Sequence, residues 1–176
     1  TIYDWANSAF STTIVAGFFP IFFEKFWSNP DDVIHSTFQL GIANSASSII
    51  IAILSPILGA IADRGSARKK FLFTFAFLGA VMTGSLFFLN QGQWQSAIVI
   101  YILASVGFMG GNIFYDSLLP NLAEKDKVDH VSLLGYALGY LGGGLLFLVN
   151  VLMYLYYYQS FYSCLLYTSD AADEED

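Results

Sequence analysis

Five long apolar segments constrain the fold of this chain more than any other feature. They cover roughly residues 4–23, 38–61, 71–89, 97–119 and 131–155, and short polar stretches separate them. A helix needs about 20 mostly apolar residues to cross the hydrocarbon core of a bilayer. Open sheet edges are excluded there, because every backbone amide must be hydrogen-bonded within the protein. The sequence therefore predicts an all-α integral membrane protein with about five transmembrane helices.

The composition supports a membrane protein. Charged residues make up 12% of the 176 residues and apolar residues 56%, whereas a soluble domain has about 25% charged residues. The net charge of −7 comes largely from residues 164–176, which hold five of the fourteen acidic residues and no basic one. Without that tail, seven basic residues face nine acidic residues, which leaves −2.

The tail at residues 164–176 is predicted to be non-native. Its stretch CLLYTSDAADE back-translates into a sequence that resembles read-through into a transposase-type sequencing adapter. The chain also begins at Thr1 rather than at a methionine. We therefore expect residues 1–163 to be a piece of a longer protein. The only cysteine, Cys164, lies in the tail, so residues 1–163 offer no thiolate metal site.

The basic residues predict the orientation in the membrane. Basic residues in short loops stay on the cytoplasmic side. With five spans, the loop after the second span and the loop after the fourth lie on the same side. These two loops hold six of the seven basic residues: Arg64, Arg68, Lys69, Lys70, Lys125 and Lys127. The sequence therefore predicts a cytoplasmic N-terminus.

Motifs of soluble enzymes do not occur in the sequence. It has no Walker A loop, no GxGxxG after a strand and no GxSxG. His35 and His130 lie in polar loops, far along the chain from a second metal ligand. We therefore expect no enzyme, no cofactor, no metal site and no nucleic-acid partner. An intramembrane enzyme would need paired catalytic groups at one depth, for which Asp4 and Asp116 are the only candidates.

A polar stripe marks the first apolar segment. Its members fall at offsets 0, 3, 4, 7 and 8, which is one face of a helix: Asp4, Asn7, Ser8, Ser11 and Thr12. Inside a membrane, such a face points at protein or at a water-filled cavity. The stripe either lines a polar pathway or combines an interfacial cap, Asp4, with hydroxyls that bond neighbouring helices. Both interpretations stay open.

The fourth segment repeats this pattern. Ser105, Asn112 and Asp116 share one helix face, and a Tyr-Asp pair stands near the cytoplasmic end, as in the first segment. Such a correspondence is typical of inverted repeats, whose interface holds the transport site in many transporters. The carboxylates are candidates for binding a coupling proton or cation, or a solute ammonium group. The alternative for Asp116 is an interfacial carboxylate paired with a nearby Lys or Arg.

Glycines recur every four residues in the fifth segment, at Gly135, Gly139 and Gly143. Small residues let two transmembrane helices approach closely. The spacing predicts helix packing, with a face that slides during a conformational cycle as the alternative.

The loop after the second segment, GAIADRGSARKKF, resembles the loop between helices two and three of the major facilitator superfamily. Gly65 comes early and the basic residues come one position late relative to the family pattern. In that family the loop latches the cytoplasmic gate through ion pairs. The resemblance implies a gate loop formed by the residues that match by type: Gly59, Asp63, Arg64, Arg68, Lys69 and Lys70.

Four motifs narrow the resemblance. YDWANSAF, GAIADRG, FYDSLLP and GYALGYLGGGL are together similar to the fungal vacuolar amino-acid effluxers of autophagy and their bacterial relatives. The similarity covers residues 1 to about 160. Transporters of this superfamily have two halves of six helices. The resemblance therefore implies most of an N-terminal half, which lacks the sixth helix and the partner C-terminal half.

The function that this resemblance implies is secondary active transport of a small-molecule solute by alternating access. Amino-acid efflux is the implied activity, a proton or cation the expected coupling ion, and the bacterial inner membrane the expected bilayer. A sugar–cation symporter remains an alternative, as does a polytopic membrane protein without transport activity, either an intramembrane enzyme or a scaffold.

Overall fold

The computed structural model describes residues 2–29, 32–63, 67–122 and 128–173. Five helices, α1 to α5, make up most of this part of the chain. The first, α1, is built of four consecutive pieces, of which the second and fourth are π-helical: Ile2–Ala9, Phe10–Phe18, Phe19–Phe22 and Phe23–Trp27. The others are α2 (Val33–Asp63), α3 (Arg68–Ser85, followed by a 3₁₀ turn at Leu86–Phe88), α4 (Trp94–Leu122) and α5 (Val128–Asp173).

Each of these helices is long and apolar enough to cross a membrane. The corresponding spans are Tyr3–Trp27, Val33–Asp63, Arg68–Phe88, Trp94–Leu118 and Ser132–Tyr157. The predicted all-α class with about five transmembrane helices is therefore confirmed. The helices extend beyond the apolar runs, and at one end a capping side chain is responsible. At the start of α2, for example, the Asp32 carboxylate accepts a hydrogen bond from the backbone N–H of His35 at 2.9 Å, which is typical of an N-cap.

The backbone of α5 is helical as far as Asp173. Residues 174–176, and the side chains of the whole predicted tail, lie outside the part of the chain that the structure describes. The non-native origin of residues 164–176 stays a prediction.

The central element is α4, which packs against α2 on one side and α3 on another. Towards its start, Tyr101 stacks on Phe19 of α1 with ring centroids 4.2 Å apart. Towards its end, Phe114 is fully buried and stacks on Phe71 of α3 at 5.2 Å. The two apolar clusters hold opposite ends of α4, so this helix fixes the positions of its neighbours.

Glycines let α3 and α4 touch along their backbones. A Cβ atom added to Gly107 of α4 would lie 2.7 Å from the backbone nitrogen of Gly79 on α3. Real Cβ atoms are not found this close to backbone atoms, so an alanine at Gly107 must push the helices apart. Close backbone approach through small residues is the usual way in which membrane helices pack.

One arginine joins the ends of three helices. Arg68 is the first residue of α3, and its Nε donates a hydrogen bond to the carbonyl oxygen of Ala62 in the last turn of α2. Its Nη1 donates to the carbonyl oxygen of Ser117 near the end of α4 at 3.0 Å. A cation at a helix C-terminus is favourable because the last carbonyls carry partial negative charge. Arg68 therefore ties α2 and α4 to the start of α3.

We predict that Gly107→Ala destabilises the protein by about 1–3 kcal/mol, the usual cost of overpacking. The matched control is Gly84→Ala in α3, where an added Cβ meets nothing within 4 Å. Thermal unfolding in detergent measures both variants. Equal stability of the two variants would contradict the close packing of α3 on α4.

A second prediction concerns Arg68. Arg68→Met keeps an apolar stem but removes two charge-assisted hydrogen bonds, so amide hydrogen exchange should rise in the last turns of α2 and α4. Hydrogen bonds to charged groups contribute about 1.5–3 kcal/mol each. Lys69→Met is the control, because Lys69 is exposed. Unchanged exchange in the Arg68 variant would show that these bonds do not hold the helix ends.

Candidate functional site

A buried carboxylate lies where α1, α4 and α5 meet. Asp4 of α1 is only 7% exposed, and it lies in a helix that is long and apolar enough to span a membrane. The Tyr115 hydroxyl of α4 donates a hydrogen bond to Asp4 Oδ2, with an O–O distance of 2.5 Å. The ring of Tyr3 stacks on the ring of Tyr115, with centroids 4.7 Å apart. The structure thus brings together the two Tyr-Asp pairs of the first and fourth apolar segments.

The face of α5 next to this carboxylate is made of glycine. A Cβ on Gly135 would lie 3.1 Å from Asp4 Oδ2, and a Cβ on Gly139 would lie 2.9 Å from Ser8 Oγ. Gly143 continues this face, since its Cβ would lie 2.9 Å from Ser8 Cβ. The three glycines therefore form a trough, Gly135–Gly139–Gly143, that receives the polar side chains of α1.

Trp5 covers the edge of the same trough. A Cβ on Gly142 would overlap the indole ring of Trp5, while half of the Trp5 surface stays exposed. The indole therefore lies against α5, and a side chain at position 142 would collide with it.

The predicted polar stripe of α1 divides between two surroundings. Asp4 and Ser8 lie in the glycine trough. Thr12 follows them, since its hydroxyl is 2.8 Å from the Ser8 carbonyl oxygen and 3.4 Å from that of Gly143. The Ser11 hydroxyl donates to the Ser8 carbonyl oxygen at 3.0 Å. An α-helical wheel does not hold along the whole stripe, because α1 becomes π-helical at Phe10 and its hydrogen bonds lengthen to i→i+5.

Asn7 faces a cavity of about 360 Å³ between α1, α3 and α4. The cavity wall is mostly apolar, with Phe10 and Phe108 among its members. Tyr3, Asn7, Thr13 and Thr83 supply its polar groups. The stripe of α1 therefore contacts α5 on one side and this cavity on the other.

The polar residues of α4 differ in burial. Ser105 is buried, Asn112 is partly buried and Asp116 is exposed. Asp116 is nevertheless close enough to Asp4 for the two carboxyl groups to interact electrostatically. The two aspartates therefore lie at the same end of the bundle, one inside it and the other at its surface.

The residues of the predicted gate loop have different surroundings. Gly59 has open space around its Cα, and Asp63, Lys69 and Lys70 are exposed. Arg68 makes the hydrogen bonds to α2 and α4 described above. Arg64 lies outside the described residues.

Sequence reasoning did not single out Tyr115 as the partner of Asp4. The repeated Tyr-Asp dipeptide was the available signal, but it did not distinguish Tyr115 from Tyr3. Within the described ranges, no group of three or more His, Cys, Asp or Glu side chains is placed to hold a metal ion.

Comparison with known proteins gives a family. The family model described as "Vacuole effluxer Atg22 like" matches residues 1–165. An uncharacterized MFS-type transporter, YxiO of Bacillus subtilis (strain 168), is 34% identical over 155 residues, which cover 88% of this chain and 36% of that protein. No solved structure matches the chain.

Two further relatives agree. An uncharacterized protein of Aquifex aeolicus (strain VF5) is 31% identical over 153 residues, covering 86% of this chain and 37% of its own length. Autophagy-related protein 22 of Coccidioides immitis (strain RS) is 37% identical over 82 residues, or 47% of this chain and 14% of that protein. The chain spans little more than a third of the two bacterial relatives. It belongs to the family described as vacuole effluxer Atg22 like, as its four motifs predicted.

Proposed function

We propose that this chain is the N-terminal part of a secondary active transporter that exports a small solute by alternating access. Amino acids are the proposed solute class, in keeping with the branch that the motifs resemble. The chain that follows would supply the sixth helix and the C-terminal half. The proposed location is a bacterial inner membrane, with the N-terminus in the cytoplasm.

The observation that carries this proposal is the burial of Asp4 in a helix that is long and apolar enough to span a membrane. Carboxylates are costly in a bilayer, and those found there usually belong to ion or solute pathways. Family membership supports the same conclusion, since one relative is named as an MFS-type transporter.

Each predicted site residue has a proposed role that agrees with its surroundings. Asp4 binds the coupling proton or cation. Asp116, at the surface of the same end, attracts that ion from the cytoplasm. Asn7, Ser8, Ser11 and Asn112 contribute the polar groups of the pathway. The exposed Lys69 and Lys70 at the start of α3 pair with the C-terminal half when the cytoplasmic gate closes.

The glycine trough has a proposed role in the same cycle. It lets α1 and α5 stay in contact while they move together, because backbone surfaces without side chains offer no steric barrier to small adjustments. Helix packing through Gly135, Gly139 and Gly143 would therefore keep Asp4 shielded from lipid in each state of the transporter.

The test is flux of tritiated alanine, leucine and phenylalanine in proteoliposomes that contain the full-length protein. Asp4→Asn removes the carboxylate that binds the coupling ion, so it should reduce ion-driven accumulation about tenfold or more. A tenfold change in rate corresponds to about 1.36 kcal/mol of lost stabilisation. Asp116→Asn should have a smaller effect in the same direction, since its carboxyl group is exposed.

Asp32→Asn is the matched control. It makes the same chemical change at the start of α2 and keeps an N-cap residue, because asparagine caps as well as aspartate. If accumulation is unchanged in both the Asp4 and the Asp116 variants, the coupling role is wrong. If none of the three amino acids accumulates and tritiated glucose in a parallel arm does, the protein is a sugar transporter instead.

A further inference from the structure

We propose that Tyr115 is a positioning residue that acts through Asp4 and links ion binding at this carboxylate to the contact between α1 and α4. This inference rests on the proposed function, because it assumes that Asp4 binds the coupling ion. It adds a residue that no sequence motif assigned and gives it a defined task.

The geometry places Tyr115 in direct hydrogen-bond contact with Asp4 Oδ2. Its hydroxyl reaches that oxygen at 2.5 Å, and its ring is held by stacking on Tyr3. Gly135 of α5 lies beside the same oxygen, since a Cβ there would be 3.1 Å from Asp4 Oδ2 and 3.9 Å from the Tyr115 hydroxyl. The carboxyl group therefore accepts a hydrogen bond from α4 and lies against a glycine of α5.

The strength of this bond depends on the charge of Asp4. A hydrogen bond to an ionised acceptor is about twice as strong as one between neutral groups. A proton or cation that binds Asp4 neutralises the acceptor and weakens the bond from Tyr115. Ion binding therefore loosens the contact between α1 and α4, and by linkage the contact alters ion binding by the same factor.

This contact crosses a repeat boundary. In transporters built from two three-helix repeats within each half, α1 would belong to the first repeat and α4 to the second. A bond that responds to ion binding at this boundary is placed to move one repeat against the other. Among the described residues, the titratable groups that interact with Asp4 are Tyr3 on α1, Tyr115 and Asp116 on α4, and Tyr136 on α5.

The chain offers a matched control on the same helix. Tyr101 of α4 is also buried, and its hydroxyl donates to Asn44 Oδ1 of α2 at 2.8 Å. Tyr101→Phe also removes a tyrosine hydrogen bond between two helices, here to a neutral acceptor, without touching Asp4. A purely structural role for Tyr115 would therefore make Tyr115→Phe and Tyr101→Phe behave alike.

The experiment compares two rates in proteoliposomes of the full-length protein. The first is exchange of tritiated leucine at equal concentrations on both sides, which needs no net ion movement. The second is accumulation driven by an imposed pH gradient or, in a separate arm, by a sodium gradient. The arm that drives accumulation identifies the ion.

Tyr115→Phe should lower accumulation about tenfold, within the usual range for coupling between sites, and leave exchange nearly unchanged. Tyr101→Phe should either leave both rates unchanged or lower exchange and accumulation by the same factor. In an Asp4→Asn background, Tyr115→Phe should have no further effect on the ratio of the two rates, because the charge through which it acts is gone.

The two proposals fail in different ways. If Asp4→Asn abolishes accumulation but Tyr115→Phe behaves like Tyr101→Phe, the positioning role is overturned and the proposed function stands. If Asp4→Asn leaves accumulation intact, the coupling role falls, and the linkage through Tyr115 falls with it.

A spectroscopic measurement tests the positioning role without any solute. The carboxyl ¹³C resonance of Asp4, assigned with the Asp4→Asn variant in aspartate-labelled protein, should move in Tyr115→Phe and stay in place in Tyr101→Phe. An unmoved resonance in Tyr115→Phe would overturn the inference, whatever the transport assays give.

Discussion

The arrangement of α1, α4 and α5 depends on one requirement, a hydrogen-bond donor and space for a buried carboxylate in a helix apolar enough to span a membrane. Asp4 cannot face hydrocarbon, so α1 must turn it towards protein. The Tyr115 hydroxyl provides a donor, and the glycines of α5 provide the space. A side chain at Gly135 or Gly139 would push α5 away from α1. The acidic residue, the tyrosine and the glycine spacing therefore belong to the same packing arrangement.

Most of the fold could be predicted from the sequence, because lipid leaves few alternatives to helices. Five apolar runs gave five helices, and the regular spacing of Gly135, Gly139 and Gly143 singled out the face of α5 that α1 contacts. The helix ends were less predictable, because caps such as Asp32 extend helices through polar residues. The basic residue Arg68 illustrates a similar limit, since its hydrogen bonds to two helix ends depend on three elements meeting in space.

The candidate site was predictable in part. Asp4 and Ser8 stood out as polar residues in an apolar segment, but their partner could not be named from an α-helical wheel. The pairing of Tyr115 with Asp4 joins residues 111 positions apart, and only the packing of α1 on α4 selects Tyr115 over Tyr3. The π-helical backbone from Phe10 onward changes the direction of later side chains. No residue pattern in this segment predicts the π-helix. Within the α-helical piece before it, Asn7 faces the cavity beside α3, whereas Ser8 faces α5.

The central claim is that Asp4 is buried and bonded at the junction of α1, α4 and α5 within the membrane. An electron cryomicroscopy structure of the full-length protein in lipid nanodiscs tests it most directly. In that structure the Tyr115 hydroxyl should lie within hydrogen-bond distance of the Asp4 carboxylate, and Gly135 and Gly139 should contact α1. An Asp4 side chain that points to the lipid headgroups, with side chains of other helices between α1 and α5, would contradict it.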